Sequence, residues 1–121
     1  MNRNQPEDLK TRTRRFALRI IKLYSALPKS TVAQVLGKQM LRSGTSVGAH
    51  YREAMRARST AEFISKVEGG LQELEETSYW LELLVESKIM DENRLSELMG
   101  ETEQLTAILV TCMKNTKRKR T

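Results

Sequence analysis

Two groups in this 121-residue chain could act together on a phosphodiester: the single histidine, His50, and Arg42. A histidine can move a proton near neutral pH, and a guanidinium can stabilise charge developing on a phosphoryl oxygen. Seven residues intervene, and at about 100° per residue on a helix the two side chains point about 80° apart. They do not converge on one reacting atom. The single cysteine, Cys112, sits among Leu105, Leu109 and Met113, so it reads as a buried structural thiol rather than a nucleophile. One Cys and one His exclude a disulfide framework and weigh against a metal site within one chain. The chain has no Glu-x-x-His pair, no Gly-rich phosphate loop and no nucleophile beside an obvious base. The expectation is a protein that is not an enzyme and uses no cofactor.

The cations offer another chemistry. Arg12, Arg15, Arg19 and Lys22 recur at spacings of three, four and three with no acid interleaved, making a basic rail along one helix. Arg52 and Arg56, and then Lys117, Arg118, Lys119 and Arg120, extend the set. Net charge is +6 and unevenly spread: residues 1–30 hold eight Lys/Arg against Glu7 and Asp8, whereas residues 59–100 hold three against ten acids. These ten cations are the candidate nucleic-acid contacts, because affinity for a polyanion grows with the number of counterions released. Aromatic residues make up only 5% of the chain, so sequence-specific reading of a single strand is not expected. The competing reading is a solvated face occupied by ion pairs.

Four helices must position these groups. Pro6 suits a first helical position, with Glu7 and Asp8 in the first turn; Leu9, Phe16, Ile20, Leu23, Tyr24 and Leu27 then form one apolar stripe. Pro28 ends that helix, and Thr31 with Gln34 forms a capping box for the next, which runs to about Ala57. Its core stripe is Leu36, Met40, Val47, Tyr51 and Ala54. Gly37, Gly44 and Gly48 flank the stripe, each costing about 1 kcal/mol against alanine. Close approach of a neighbouring helix would offset that cost, with Gly69-Gly70 as the counterpart.

Ser59 with Glu62 caps a third helix whose core stripe is Phe63, Val67, Gly70, Leu71, Leu74, Ser78, Leu81 and Val85. Almost opposite lie Glu73, Glu76, Trp80, Leu83 and Leu84, the candidate oligomer interface; a face buried within the monomer is the alternative. Arg42, Ser46 and Glu53 on the second helix face Glu62, Lys66, Glu73 and Glu76 on the third, as a charge network that fixes register. Asp91 caps a fourth helix with core residues Leu95, Leu98, Met99, Leu105, Leu109 and Met113. The sum is an all-α, antiparallel up-down-up-down four-helix bundle over residues 1–116, with a disordered basic C-terminal tail at 117–121. No run approaches a membrane span and no signal-peptide core opens the chain, so a cytoplasmic protein without membrane contact is expected.

The motif Arg42-Ser43-Gly44-Thr45-Ser46-Val47-Gly48-Ala49 is long enough to be specific. Tyr51-Arg52-Glu53-Ala54, Ala57-x-Ser59, Glu62-Phe63-Ile64-x-Lys66 and Glu76-Thr77-x-Tyr79-Trp80-Leu81 follow it. Over about residues 9–115 the chain resembles the bacterial four-helix-bundle family of intervening-sequence proteins, encoded in insertions within large-subunit ribosomal RNA genes. That family also includes the accessory variability determinant proteins of diversity-generating retroelements. His50 stands where the family commonly has Asn, replacing an amide with a group that can titrate. The resemblance implies a ring-like homopentamer with a basic surface and no enzymatic activity. For the retroelement branch it implies binding to nucleic acid and to a reverse transcriptase. The first expectation is thus an oligomeric nucleic-acid binder, RNA ahead of DNA. The second is a protein–protein scaffold whose basic helices dock on the acidic third helix of a neighbour, so that charge segregation serves only self-assembly.

Overall fold

The structure, a computed structural model, describes the backbone of residues 8–120 and the side chains of residues 8–119. Four helices account for almost all of it: α1 (Leu9–Ala26), α2 (Thr31–Met55), α3 (Thr60–Glu86) and α4 (Glu92–Arg120), with no strand among the described residues.

Helix boundaries follow local chemistry. Asp8 is the N-cap of α1, its carboxylate accepting from the Lys10 amide at 3.2 Å, so it precedes the first turn in which it was expected. Pro6 and Glu7 lie outside the described residues. Ser30, not Thr31, caps α2 by accepting from the Ala33 amide at 3.3 Å. Gln34 is drawn elsewhere: its amide nitrogen donates to the Pro28 carbonyl at 2.8 Å and its oxygen accepts from the Tyr24 hydroxyl at 2.9 Å. Ser59 caps α3 as expected, accepting from the Glu62 amide at 3.1 Å. The Glu62 carboxylate returns to the Arg58 amide at 3.2 Å, one residue before the usual capping-box partner. No structural break separates a tail at residue 116, since α4 continues through Arg120.

The helices pack in sequence, α1 on α2, α2 on α3 and α3 on α4, and α1 meets α4 more sparingly. Cross-pairings run in opposite directions along the chain: Leu27 lies against Gly37 and Thr13 against Gly48, Arg42 reaches Glu73 and Glu76 while Glu53 reaches back to Lys66, and Arg12 reaches Glu101 while Arg19 approaches Glu97. The pairs α1–α2, α2–α3 and α1–α4 are therefore antiparallel. The core is Phe16, Ile20, Met40, Val47, Leu74, Leu81, Leu95, Leu105 and Leu109, each at most 1% exposed. Leu84 is 0% exposed and belongs to this core, so it cannot be part of an outer contact face. On α3 the buried face runs through Ile64, Thr77 and Leu84; Ser78 is exposed, while Phe63, Leu71 and Val85 are only partly buried.

The α2 glycines are buried, and α1 is what they admit. A Cβ on Gly44 would stand 2.7 Å from the Ile20 side chain, and one on Gly37 would stand 2.5 Å from Leu27. Gly69 instead makes room for His50, whose Nδ1 would be 2.8 Å from an added Cβ. The expected pairing of the α2 glycines with Gly69-Gly70 is therefore replaced by two separate close approaches, one on each side of α2.

Candidate nucleic-acid interface

The α1 rail is positioned by the apolar stripe beside it, and its near edge faces α4. Arg12 donates from Nε and Nη2 to the two oxygens of Glu101, both at 2.8 Å, and from Nη2 to Gln104 at 2.7 Å. The side chains of this pair are 21% and 17% exposed. Hydrogen bonding from Arg12 holds the Glu101 carboxyl below its ordinary value; partial burial opposes this, and the charges of Arg12, Arg19 and Arg15 reinforce it. Arg19 approaches Glu97 at 3.8 Å, a loose pair whose carboxylate is 93% exposed. Arg12 is thus engaged within the fold, and the acids missing from its own helix come from α4.

The α2–α3 network takes the expected form at Arg42, Glu53, Lys66, Glu73 and Glu76, whereas Ser46 donates to the Arg42 carbonyl of its own helix at 2.6 Å and Glu62 accepts from the Arg58 amide. Arg42 donates to Glu73 at 3.2 and 3.3 Å and to Glu76 at 2.6 Å. These bonds, with Glu73 foremost, raise the Arg42 pKa above its ordinary value. Lys66 reaches Glu53 at 3.4 Å. His50 stands between carboxylates of two helices, Nε2 at 3.7 Å from Glu73 and Nδ1 at 3.7 Å from Glu53. Arg42 and His50 therefore converge on an acid, Glu73, and this geometry braces the helices. Because Glu73 and Glu76 are engaged by Arg42 of their own chain, they are not unpaired groups awaiting a neighbour. Trp80 is half-buried against the core and tilted against Tyr79, with ring centroids 5.2 Å apart. Leu83 is half-buried, and Cys112 is half-buried rather than fully enclosed.

Topology brings the remaining candidates together at one end. An up-down-up-down order places the start of α1, the α2–α3 loop and the end of α4 at the same end of the bundle. Arg52, Arg56, Lys117 and Lys119 are exposed there and make no ion pair among the described residues. Arg118 is also exposed and donates to Asn115 at 3.0 Å; the Arg120 side chain lies outside the described residues. Lys10, Arg58 and Lys114, not singled out in the sequence, join this end. Only the topology could have found them, because they belong to α1, the α2–α3 loop and α4. Lys22 and Arg19 belong to the opposite half of the molecule, where Arg94 of α4 joins them around a cavity. No group of three or more His, Cys, Asp or Glu among the described residues is placed to hold a metal ion, and no described helix is long and apolar enough to cross a membrane.

Residues 7–111 match the family described as 23S rRNA-intervening sequence protein. The chain is also similar to a solved structure from Bacteroides thetaiotaomicron VPI-5482, a protein with unknown function from the S23 ribosomal protein family. The two are 37% identical with a TM-score of 0.83 over 88% of this chain and 99% of that one. A search of curated proteins found no match.

Proposed function

The chain belongs to the 23S rRNA-intervening sequence protein family, and from that premise we propose that it is a non-catalytic binder of nucleic acid, RNA ahead of DNA, acting as a homo-oligomer. The observation that carries this reading is the cationic end of the bundle, where Arg52, Arg56, Lys117 and Lys119 are exposed without an acid partner among the described residues. Cations held at one end but unpaired repel one another, and phosphates relieve that repulsion while releasing counterions. Several protomers presenting such an end in a ring, the pentamer of the family resemblance, would multiply the effect. The same resemblance makes a reverse transcriptase the protein partner to test first.

Fluorescence anisotropy with a short labelled RNA, across salt, tests the reading. Four phosphate contacts, each contributing about 0.7 to the log–log salt slope of a single strand, cost roughly fiftyfold in affinity between about 50 and 200 mM salt. Converting Arg52, Arg56, Lys117 and Lys119 to glutamine together should flatten that slope, whereas Arg12→Gln should leave it nearly unchanged. Binding that is flat in salt for the wild type, or unaltered by the fourfold change, sinks the reading.

A second reading, assembly through charge, is favoured by one specific observation. A groove of about 670 Å³ between α3 and α4 has Leu71 and Leu74 in its floor and Glu75, Glu82 and Glu103 around it. These three acids make no ion pair among the described residues. This moves the acidic docking face away from Glu73 and Glu76 to the other side of α3, and it can operate together with nucleic-acid binding at the bundle end.

A further inference from the structure

A second cationic zone lies far from the bundle end, and its chemistry differs. Between the C-terminal half of α1 and the first turns of α4 is a cavity of about 270 Å³. Its floor is apolar and sealed: Met90, Leu95 and Leu98 are 6%, 1% and 5% exposed. Its rim carries three cations from two helices, Arg19, Lys22 and Arg94, and Ala26 completes the wall. Lys22 and Arg94 make no ion pair among the described residues, and Arg19 has only the distant, solvent-exposed Glu97 at 3.8 Å.

Three cations around an oily recess match a ligand with two unlike parts, a compact anion and a flat, weakly polar body. We infer that this cavity binds a nucleoside monophosphate unit, the phosphate held by Arg19, Lys22 and Arg94 and the base laid in the recess against Leu23, Ala26 and the exposed edges of Met90 and Leu98. A guanidinium plane stacks on a base, and a thioether adapts to any base face, so the site takes a base without selecting among sequences. The volume is just below the usual lower bound of about 300 Å³ for small-molecule sites, so the recess suits a small ligand. The unit can be a free nucleotide or one base turned out of an RNA strand. Only the second source rests on the nucleic-acid reading above.

The test follows the Met90 methyl resonance of the full-length protein during titration with adenosine 5′-monophosphate, inorganic phosphate or adenosine. The monophosphate should shift Met90 saturably and bind at least tenfold tighter than phosphate or adenosine alone. Ala26→Trp fills the recess without changing charge and should weaken monophosphate binding tenfold or more; Arg94→Gln should do likewise through the anion. A Met90 signal that does not move, phosphate binding as tightly as the monophosphate, or an unchanged affinity in both variants overturns the assignment. A 5′-phosphorylated single strand that competes with the monophosphate, where a duplex of equal length does not, identifies the RNA strand as the source; competition by neither identifies the free nucleotide. The fourfold variant at the bundle end should retain monophosphate affinity. Failure of this site and failure of the nucleic-acid reading are thereby distinguishable.

Discussion

Glu101 accepts two hydrogen bonds from a single guanidinium in a half-buried setting, and this ties the fold to pH. Its carboxyl titrates below the ordinary 4.5 in the folded chain. The stabilisation is therefore fully present above the unfolded pKa and is lost as pH falls from about 4.5 through the lower folded value. Charge-assisted hydrogen bonds of this kind contribute about 1.5–3 kcal/mol, and partial exposure places this pair at the lower end. Glu101→Gln should cost about 1–2 kcal/mol at pH 7 by urea unfolding. The difference from wild type should shrink towards pH 3; a difference of constant size from pH 7 to pH 3 would contradict the assignment. The sequence pattern could not reveal this pair, because Arg12 and Glu101 are 89 residues apart. It also concealed the buried hydroxyls. Thr13, Ser43, Thr77 and Thr102 are at most 1% exposed, and an apolar stripe omits such residues. They can be buried because each bonds a carbonyl of its own helix, as Thr77 does with Glu73 at 2.8 Å, and Ser43 also meets Thr77 across α2 and α3 at 2.7 Å.

Helix ends show where element-level reading succeeds and where it stops. Number, order and approximate length of the helices were legible because a 3.6-residue apolar period persists through each and Pro28 and Ser59 punctuate it. The α2 cap was misplaced because Ser30 and Thr31 are both competent and only backbone conformation decides between them. The end of α4 was misjudged because a run of lysine and arginine carries no apolar period, yet continues a helix already nucleated and suits a C-terminal turn. The close of α3 offers a test at this scale. Lys88 has φ of 64°, and the amides of Lys88 and Ile89 donate to the carbonyls of Val85 and Leu84 at 3.0 and 3.1 Å. This is a Schellman closure with lysine where glycine is preferred. A left-handed residue bearing a Cβ costs roughly 1–2 kcal/mol, and the added unfolded-chain freedom of glycine returns about 0.5–1. Lys88→Gly should therefore stabilise the protein by about 0.5–1 kcal/mol and raise Tm by roughly 2–5 °C. A lower Tm would mean that the lysine side chain contributes more than its backbone costs.

For the molecule as a whole, the question is where its segregated charge is satisfied. Part is consumed internally: Arg12 by Glu101, Arg42 by Glu73 and Glu76, Lys66 by Glu53. What remains is bipolar, a cationic bundle end on one hand and the α3–α4 groove with Glu75, Glu82 and Glu103 on the other. On the outer face of α1, Leu18 and Ile21 are 58% and 44% exposed, beside the exposed Arg14 and Lys22. A basic helix face with an apolar ridge complements an acidic groove with an apolar floor, and the two occupy different surfaces of one chain. Contact between unlike surfaces is head-to-tail, so it must close into a ring or grow into a filament. Light scattering tests this directly. Changing Glu75, Glu82 and Glu103 to lysine should reduce the particle mass to that of one chain, while circular dichroism remains fully helical because none of the three supports the core. Leu18→Glu should act in the same direction from the opposite surface. An assembly of unchanged mass in both variants would remove the groove from the interface and leave only the cationic end to account for the charge.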